Sequence, residues 1–257
     1  MRTVHATRYV TPLREGGSLP AIIEADDQGM YVLKFRGAGQ GAKALIAELV
    51  AGEIARALGL PIPEIVFVEL DATLARTEPD PEIQDLIKAS AGLNLALDYL
   101  PGSVTFDPLA EKPDGELASS IVWFDAFVTN VDRTPRNANL LVWHRKLWLI
   151  DHGAALYFHH NWENFLDRAT QTFPMIKDHV LLPYADRIDE MDATLSERLT
   201  TPIMQNIVAR IPDSWLGDVP FATTDAHRQA YLDYLVPRIA APRAFVEEAI
   251  RARSKIL

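Results

Sequence analysis

The sequence predicts an α+β protein: five short strands with one long helix after the third, then a mostly helical remainder. Three observations carry that expectation. Runs rich in β-formers, bounded by turn residues, recur through the first hundred positions. One helical pattern, Ala42 to Leu58, interrupts them and is stopped by Gly59 and Pro61. Beyond Trp162, apolar residues recur at helical spacing.

Residues 3–11 and 19–25 read as two strands joined through Arg14-Glu15-Gly16-Gly17-Ser18. The adjacent glycines make either a plain hairpin turn or a place where backbone amides approach an anion. In the third strand, Met30 to Phe35, Tyr31, Leu33 and Phe35 share one face and Lys34 takes the other. A lone strand lysine is ordinarily a solvated edge residue. Gly37-Ala38-Gly39-Gln40-Gly41 follows a strand and precedes a helix, as a dinucleotide loop does, but lacks the G-x-G-x-x-G spacing and the later acid.

In the helix, Glu48 shares a face with Ala44, Ala51, Gly52 and Ala55, small residues that let another element pack close. A carboxylate on such a face needs a cation. Lys34 is the nearest candidate, and Glu53 is the rival partner for it, expected to face solvent. Glu64 to Leu70 is a fourth strand, Pro81 to Ser90 a short polar helix, and Leu93 to Leu100 a fifth strand running into Pro101-Gly102-Ser103. Val104 to Asp114 reads as loop.

The most informative stretch runs from Ile121 to Gly153. A run apolar on nearly every side, Ile121 to Val128, predicts a buried helix. Asp125 lies within it and is expected to anchor the following loop by hydrogen bonds. Pro135 rules out regular helix in the loop Asn130 to Asn139. Two apolar runs, Asn139 to Trp143 and Leu147 to Ile150, then form a hairpin that ends on Asp151-His152-Gly153. This order places Asp132, Asn137 and Asp151 at the same end of neighbouring elements.

An Asp, five residues to an Asn, then a strand pair ending in Asp-x-Gly resembles the catalytic and metal loops of the protein-kinase-like superfamily. The wording FDAFVTNVDRTPRNANLL…LWLIDHG is most similar to the HipA-like kinases and, more distantly, to phosphatidylinositol kinases. Asn130-Val131 stands where eukaryotic protein kinases have His-Arg, and His152 replaces Phe. The run from Glu48 to Pro63, closing on Leu-Gly-Leu-Pro, resembles the corresponding HipA-like segment.

The resemblance implies a bilobal protein-kinase-like fold: a small antiparallel-sheet lobe with one helix at 1–100, a larger mostly helical lobe at 101–257, and a hinge near 98–103. It implies Asp132 as catalytic base, Asn137 and Asp151 as magnesium ligands, and Lys34, held by Glu48, on the nucleotide phosphates. Gly16, Gly17 and Ser18 would form the phosphate loop, with Ser18 a candidate for self-phosphorylation. Backbone groups of Asp98 and Leu100 would meet adenine. ATP and Mg²⁺ are thus the expected cofactors, and a protein serine or threonine hydroxyl the expected acceptor. Transfer to a small-molecule or lipid hydroxyl, and a nucleotide-binding pseudokinase or scaffold, are the alternatives.

A chain of 257 residues has room for one large domain or two lobes. Its net charge of −10 argues against nucleic acid or an anionic membrane as partner. The absence of cysteine excludes disulfides, thiolate zinc sites and a cysteine nucleophile. No apolar run approaches the ~18–20 residues of a membrane span, and Met1-Arg2-Thr3-Val4-His5 starts no signal peptide, so a cytoplasmic location is expected. Full-length HipA-like toxins carry a further N-terminal domain, and nothing here resembles their helix-turn-helix antitoxin, so no antitoxin partner is expected.

His152, His159 and His160 lack the spacing of a helical ligand pair with a third partner and read as exposed loop residues. The helical remainder should be divided by Pro183, Pro202, Pro212, Pro220 and Pro237, with Asp186, Asp189, Glu190 and Asp192 on a solvated face.

Overall fold

The computed structural model describes residues 1–13, 19–110, 112–217 and 220–256. Five strands come first: β1 (Thr3–Pro12), β2 (Ala21–Ala25), β3 (Met30–Lys34), β4 (Ile65–Leu70) and β5 (Gly92–Asp98). Helix α1 (Ala42–Leu58) lies between β3 and β4, and α2 (Pro81–Ala89) between β4 and β5. The expected antiparallel sheet is corrected in one respect. In the order β1-β2-β3-β5-β4 it closes into a barrel, because β1 also pairs in parallel with β4. Strand β1 can reach both neighbours because it is ten residues long and bent by register shifts at Ala6/Arg8 and Tyr9/Thr11. Alternate residues, among them Ile23, Tyr31, Leu33, Val66 and Val68, fill the barrel.

Helix α1 ends as its sequence requires. Gly59 takes φ 81°, Leu60 N–H donates to the Ala55 carbonyl and Gly59 N–H to that of Arg56, closing the helix before Pro61. The middle of α1 is buried all round, since β-strands cover one side and α5 (Ile188–Arg198) and α6 (Thr201–Val208) the other. Gly52 permits the close approach: a Cβ there would sit 2.4 Å from Ile65 Cδ1. With no solvent face left, Glu53 does not face water as expected. It is buried and binds Arg56 and Arg210.

Helix α3 (Gly115–Phe127) is the buried helix expected from its apolar run, begun earlier by Asp114, which accepts from Leu117 N–H at 2.9 Å. Val104–Thr105, expected to be loop, forms β6 and joins β7 (Leu140–Trp143) and β8 (Lys146–Leu149) in a second sheet. The remaining helices are α4 (Phe165–Ala169), α7 (Thr224–Ile239) and α8 (Ala244–Ser254). Helix α7 runs through Pro237 rather than breaking there; in the last turn that proline removes a single backbone donor. Asp192 is also corrected. It turns inward, accepting from Trp123 Nε1 at 2.8 Å and from Arg243 at 2.7 Å. No helix among the described residues is long and apolar enough to cross a membrane.

Candidate active site

Strand β3 ends on Lys34, and α1 carries Glu48 to it from behind. Lys34 Nζ lies 3.9 Å from Glu48 Oε2 and 2.8 Å from Asp151 Oδ1. Burial favours the neutral amine, but the charges of Glu48 and Asp151 outweigh it and raise the Lys34 pKa. Burial pushes the Asp151 carboxyl up, yet Lys34 and His152 more than offset that and hold it below the usual carboxylate range. The pair is therefore ionised.

The loop after α3 is built around one buried carboxylate. Asp125 accepts from Asn130 Nδ2 at 2.8 Å, Arg133 Nε at 2.6 Å and His179 Nε2 at 2.9 Å. Desolvation alone would raise its pKa; the Arg133 guanidinium and His179 drive it below the ordinary value instead. His179 Nδ1 accepts the Leu181 amide at 3.0 Å, so its Nε2 carries the hydrogen donated to Asp125. Arg133, fully enclosed, also donates to the carbonyls of Asn139 and Ile150. One guanidinium thus holds both the end of this loop and the strand end that presents Asp151. The expectation that Asp125 anchors the loop is met, whereas Arg133 and His179 are partners it did not include.

At the loop tip, Thr134 and Asn137 exchange backbone hydrogen bonds of 3.0 Å around Pro135-Arg136, a tight turn with proline at its second position. This turn brings Asn137 back to Asp132, whose Oδ2 accepts from Asn137 Nδ2 at 2.7 Å and from Asn139 Nδ2 at 3.3 Å. Asn139 and Asp151 adopt left-handed φ of 48° and 54°, and Asn and Asp tolerate that region best after glycine.

Lys34, Asp98, Leu100, Asn137 and Asp151 line one cleft of about 740 Å³, with Val32, Leu97, Leu141 and Ile150 as apolar walls. Asp132 and Glu48 do not line it themselves: Asp132 is bonded to Asn137, and Glu48 lies close to Lys34. The Asp98 amide is committed to the Glu64 carbonyl at 2.8 Å and that of Tyr99 to Met30 at 3.0 Å. Gly16, Gly17 and Ser18 lie outside the described residues. Among the histidines, His152 and His159 are buried rather than exposed, because the chain after Asp151 turns beneath α1 and α7.

The donor set suits a hard cation. Asn137 spends its NH₂ on Asp132, which leaves its carbonyl oxygen for another ligand, and Asp151 adds a carboxylate. No group of three or more acidic, histidine or cysteine side chains that could hold a metal ion occurs among the described residues, so the remaining ligands of such a cation would come from outside these side chains.

Two solved structures of similar fold are kinases. The Helicobacter pylori proinflammatory kinase CtkA matches with TM-score 0.58 and 14% identity over 99% of both chains. The Golgi casein kinase matches with TM-score 0.50 and 11% identity over 100% of this chain and 74% of its own. At such identities the likeness shows the fold alone. Among curated proteins no relative matches the sequence. The model of the HipA-like kinase family matches residues 7–235, and the chain belongs to that family.

Proposed function

We propose that the protein is a Mg-ATP-dependent phosphotransferase acting on a serine or threonine hydroxyl of a protein. The observation that carries this reading is the convergence of Lys34, Asn137 and Asp151 on one cleft, backed by Glu48 and Asp132. Residues 1–100 form the nucleotide-binding lobe, 101–257 the catalytic helical lobe, and 98–103 the hinge. Adenine would enter between Val32 and Leu97 on one side and Leu141 and Ile150 on the other. Because the Asp98 amide is already used, its carbonyl and the Leu100 amide are the edge groups that would meet the base.

Lys34 would bind phosphate oxygens while Glu48 holds it in place. Asn137 and Asp151 would hold Mg²⁺, which neutralises charge on those oxygens. Asp132 would orient the acceptor hydroxyl and take its proton. The test is to incubate the purified protein with Mg-ATP and candidate protein acceptors, then map phosphosites by mass spectrometry beside Asp151→Asn. Phosphate transfer by the wild type and not by the variant is expected. No nucleotide binding at millimolar ATP would remove the reading.

A further inference from the structure

The residue after Asp151 is a histidine with no exposed surface, its ring edge-on to Phe124 at 5.7 Å. It is bonded to one carboxylate. Glu48 Oε2 accepts the His152 amide hydrogen at 2.8 Å, and Oε1 faces Nδ1 at 3.3 Å. Lys34, at 3.9 Å, is the more distant neighbour of Glu48. A carboxylate oxygen accepts from an N–H, so the contact assigns a ring hydrogen to Nδ1. Nε2 is buried and without a partner among the described residues.

A phenylalanine or leucine would fill the same space with no orphaned nitrogen and none of its desolvation cost. What the imidazole adds is the Nδ1–H aimed at Glu48. Through it the metal side and the lysine side of the cleft are joined by consecutive residues: Asp151 presents its carboxylate to Lys34, and His152 grips the carboxylate that Lys34 would turn to.

We propose that His152 is a positioning residue for phosphoryl transfer, fixing the Glu48 carboxylate by a two-point contact so that it receives Lys34 when Asp151 is engaged by a cation. This rests on the kinase reading above. With the backbone amide as its remaining bond from His152, the carboxylate could rotate away. Lys34 would then stay on Asp151.

Two substitutions separate the ring's hydrogen bond from its bulk. His152→Leu keeps an apolar side chain of similar size, and His152→Asn restores an N–H near the Nδ1 position. We expect His152→Leu to lower kcat roughly 10- to 100-fold, with KM for ATP within about threefold, and His152→Asn to recover most of the loss. Glu48→Gln and His152→Leu act through one contact, so the double variant should be no slower than the slower single. Wild-type kcat in His152→Leu, His152→Asn as slow as His152→Leu, or multiplicative losses in the double variant would each overturn the proposal. Thermal midpoints of the same four proteins (wild type, both singles, the double) need no turnover. Non-additive shifts support the His152–Glu48 coupling, and additive shifts remove it. A wild type that binds no nucleotide would instead sink the kinase reading, leaving the midpoints to decide the contact.

Discussion

Lys34 sits 1.1 Å closer to Asp151 than to Glu48, at 2.8 Å against 3.9 Å. The ammonium is therefore the counter-ion of the carboxylate proposed to take the metal, and a cation arriving at Asp151 must displace it. Mg²⁺ alone has only Asn137 and Asp151 to bind and must also break that pair, so it should barely stabilise the fold. Mg-ATP supplies phosphate oxygens for both Lys34 and the metal. At a hundredfold excess over Kd it should add about 2.7 kcal/mol, raising the thermal midpoint by roughly 5–10 °C. Lys34→Met frees Asp151, so Mg²⁺ alone should then stabilise the variant while turnover is lost. Scanning fluorimetry with Mg²⁺, ATP and both checks this, and a variant as indifferent to Mg²⁺ as the wild type would refute the competition.

Binding and chemistry separate at Asp132 and Asp151. Asp132 accepts from Asn137 and Asn139 through one oxygen, Oδ2, contacts that an asparagine carbonyl can largely keep. Asp132→Asn should thus leave ATP affinity within a few-fold and lower the rate by roughly 10²–10⁴, equivalent to about 3–5 kcal/mol of barrier. Asp151→Asn should weaken Mg-nucleotide binding as well. Calorimetry with the non-hydrolysed nucleotide beside steady-state rates distinguishes them. Equal turnover by Asp132→Asn and wild type would remove the base assignment.

Much of this site was legible because its signals are local. Asp132 and Asn137 lie in one loop, Asp151 ends the next hairpin, and Glu48 stands among small residues on a helix that follows the Lys34 strand. What was not legible depends on distant packing. Glu53 reads as solvent-facing because nothing near it in sequence reveals that α6 covers α1 and that Arg210, just beyond α6, reaches it. The closure of the barrel depends on β1 meeting β4 more than fifty residues away, which no alternation pattern encodes. His179 reaches Asp125 across 54 positions. Arg133 carried a usable signal: a buried Asp125 needs a cation, and Arg133 is the nearest one along the loop.

That buried pair should dominate stability. Asp125 and Arg133 have no exposed side-chain surface, so Asp125→Asn strands a guanidinium in the core. A loss of about 3–5 kcal/mol is expected, lowering the thermal midpoint by roughly 6–20 °C. Replacing both, as Asp125→Leu with Arg133→Met, removes the stranded charge and should be less destabilising than Asp125→Asn alone. It should still be inactive, because the Asn139 and Ile150 carbonyls lose the donor that sets Asp151. An active double variant would show that the clamp serves folding only.

Acid should destabilise the fold through a histidine. His159 is buried, with Nδ1 3.1 Å from the Tyr231 hydroxyl and no partner for Nε2 among the described residues. Burial, together with the nearby His160, Lys43 and His227, drives its pKa well below 6.5. The folded protein therefore keeps His159 neutral where the unfolded chain, with a histidine pKa of about 6.5, takes up a proton. The unfolded state binds more protons below that pH, so stability is intact above about pH 6.5 and falls as the pH drops toward the folded pKa. His179, lowered by its own burial against the opposing pull of Asp125, adds a slope of the same sign. His159→Gln should flatten the decline between pH 6.5 and 5 by at most about 1.4 kcal/mol per pH unit, the value for one proton. His179 should preserve a residual slope. Denaturant unfolding at pH 7, 6 and 5 measures it, and an unchanged slope in the variant would clear His159 of the effect.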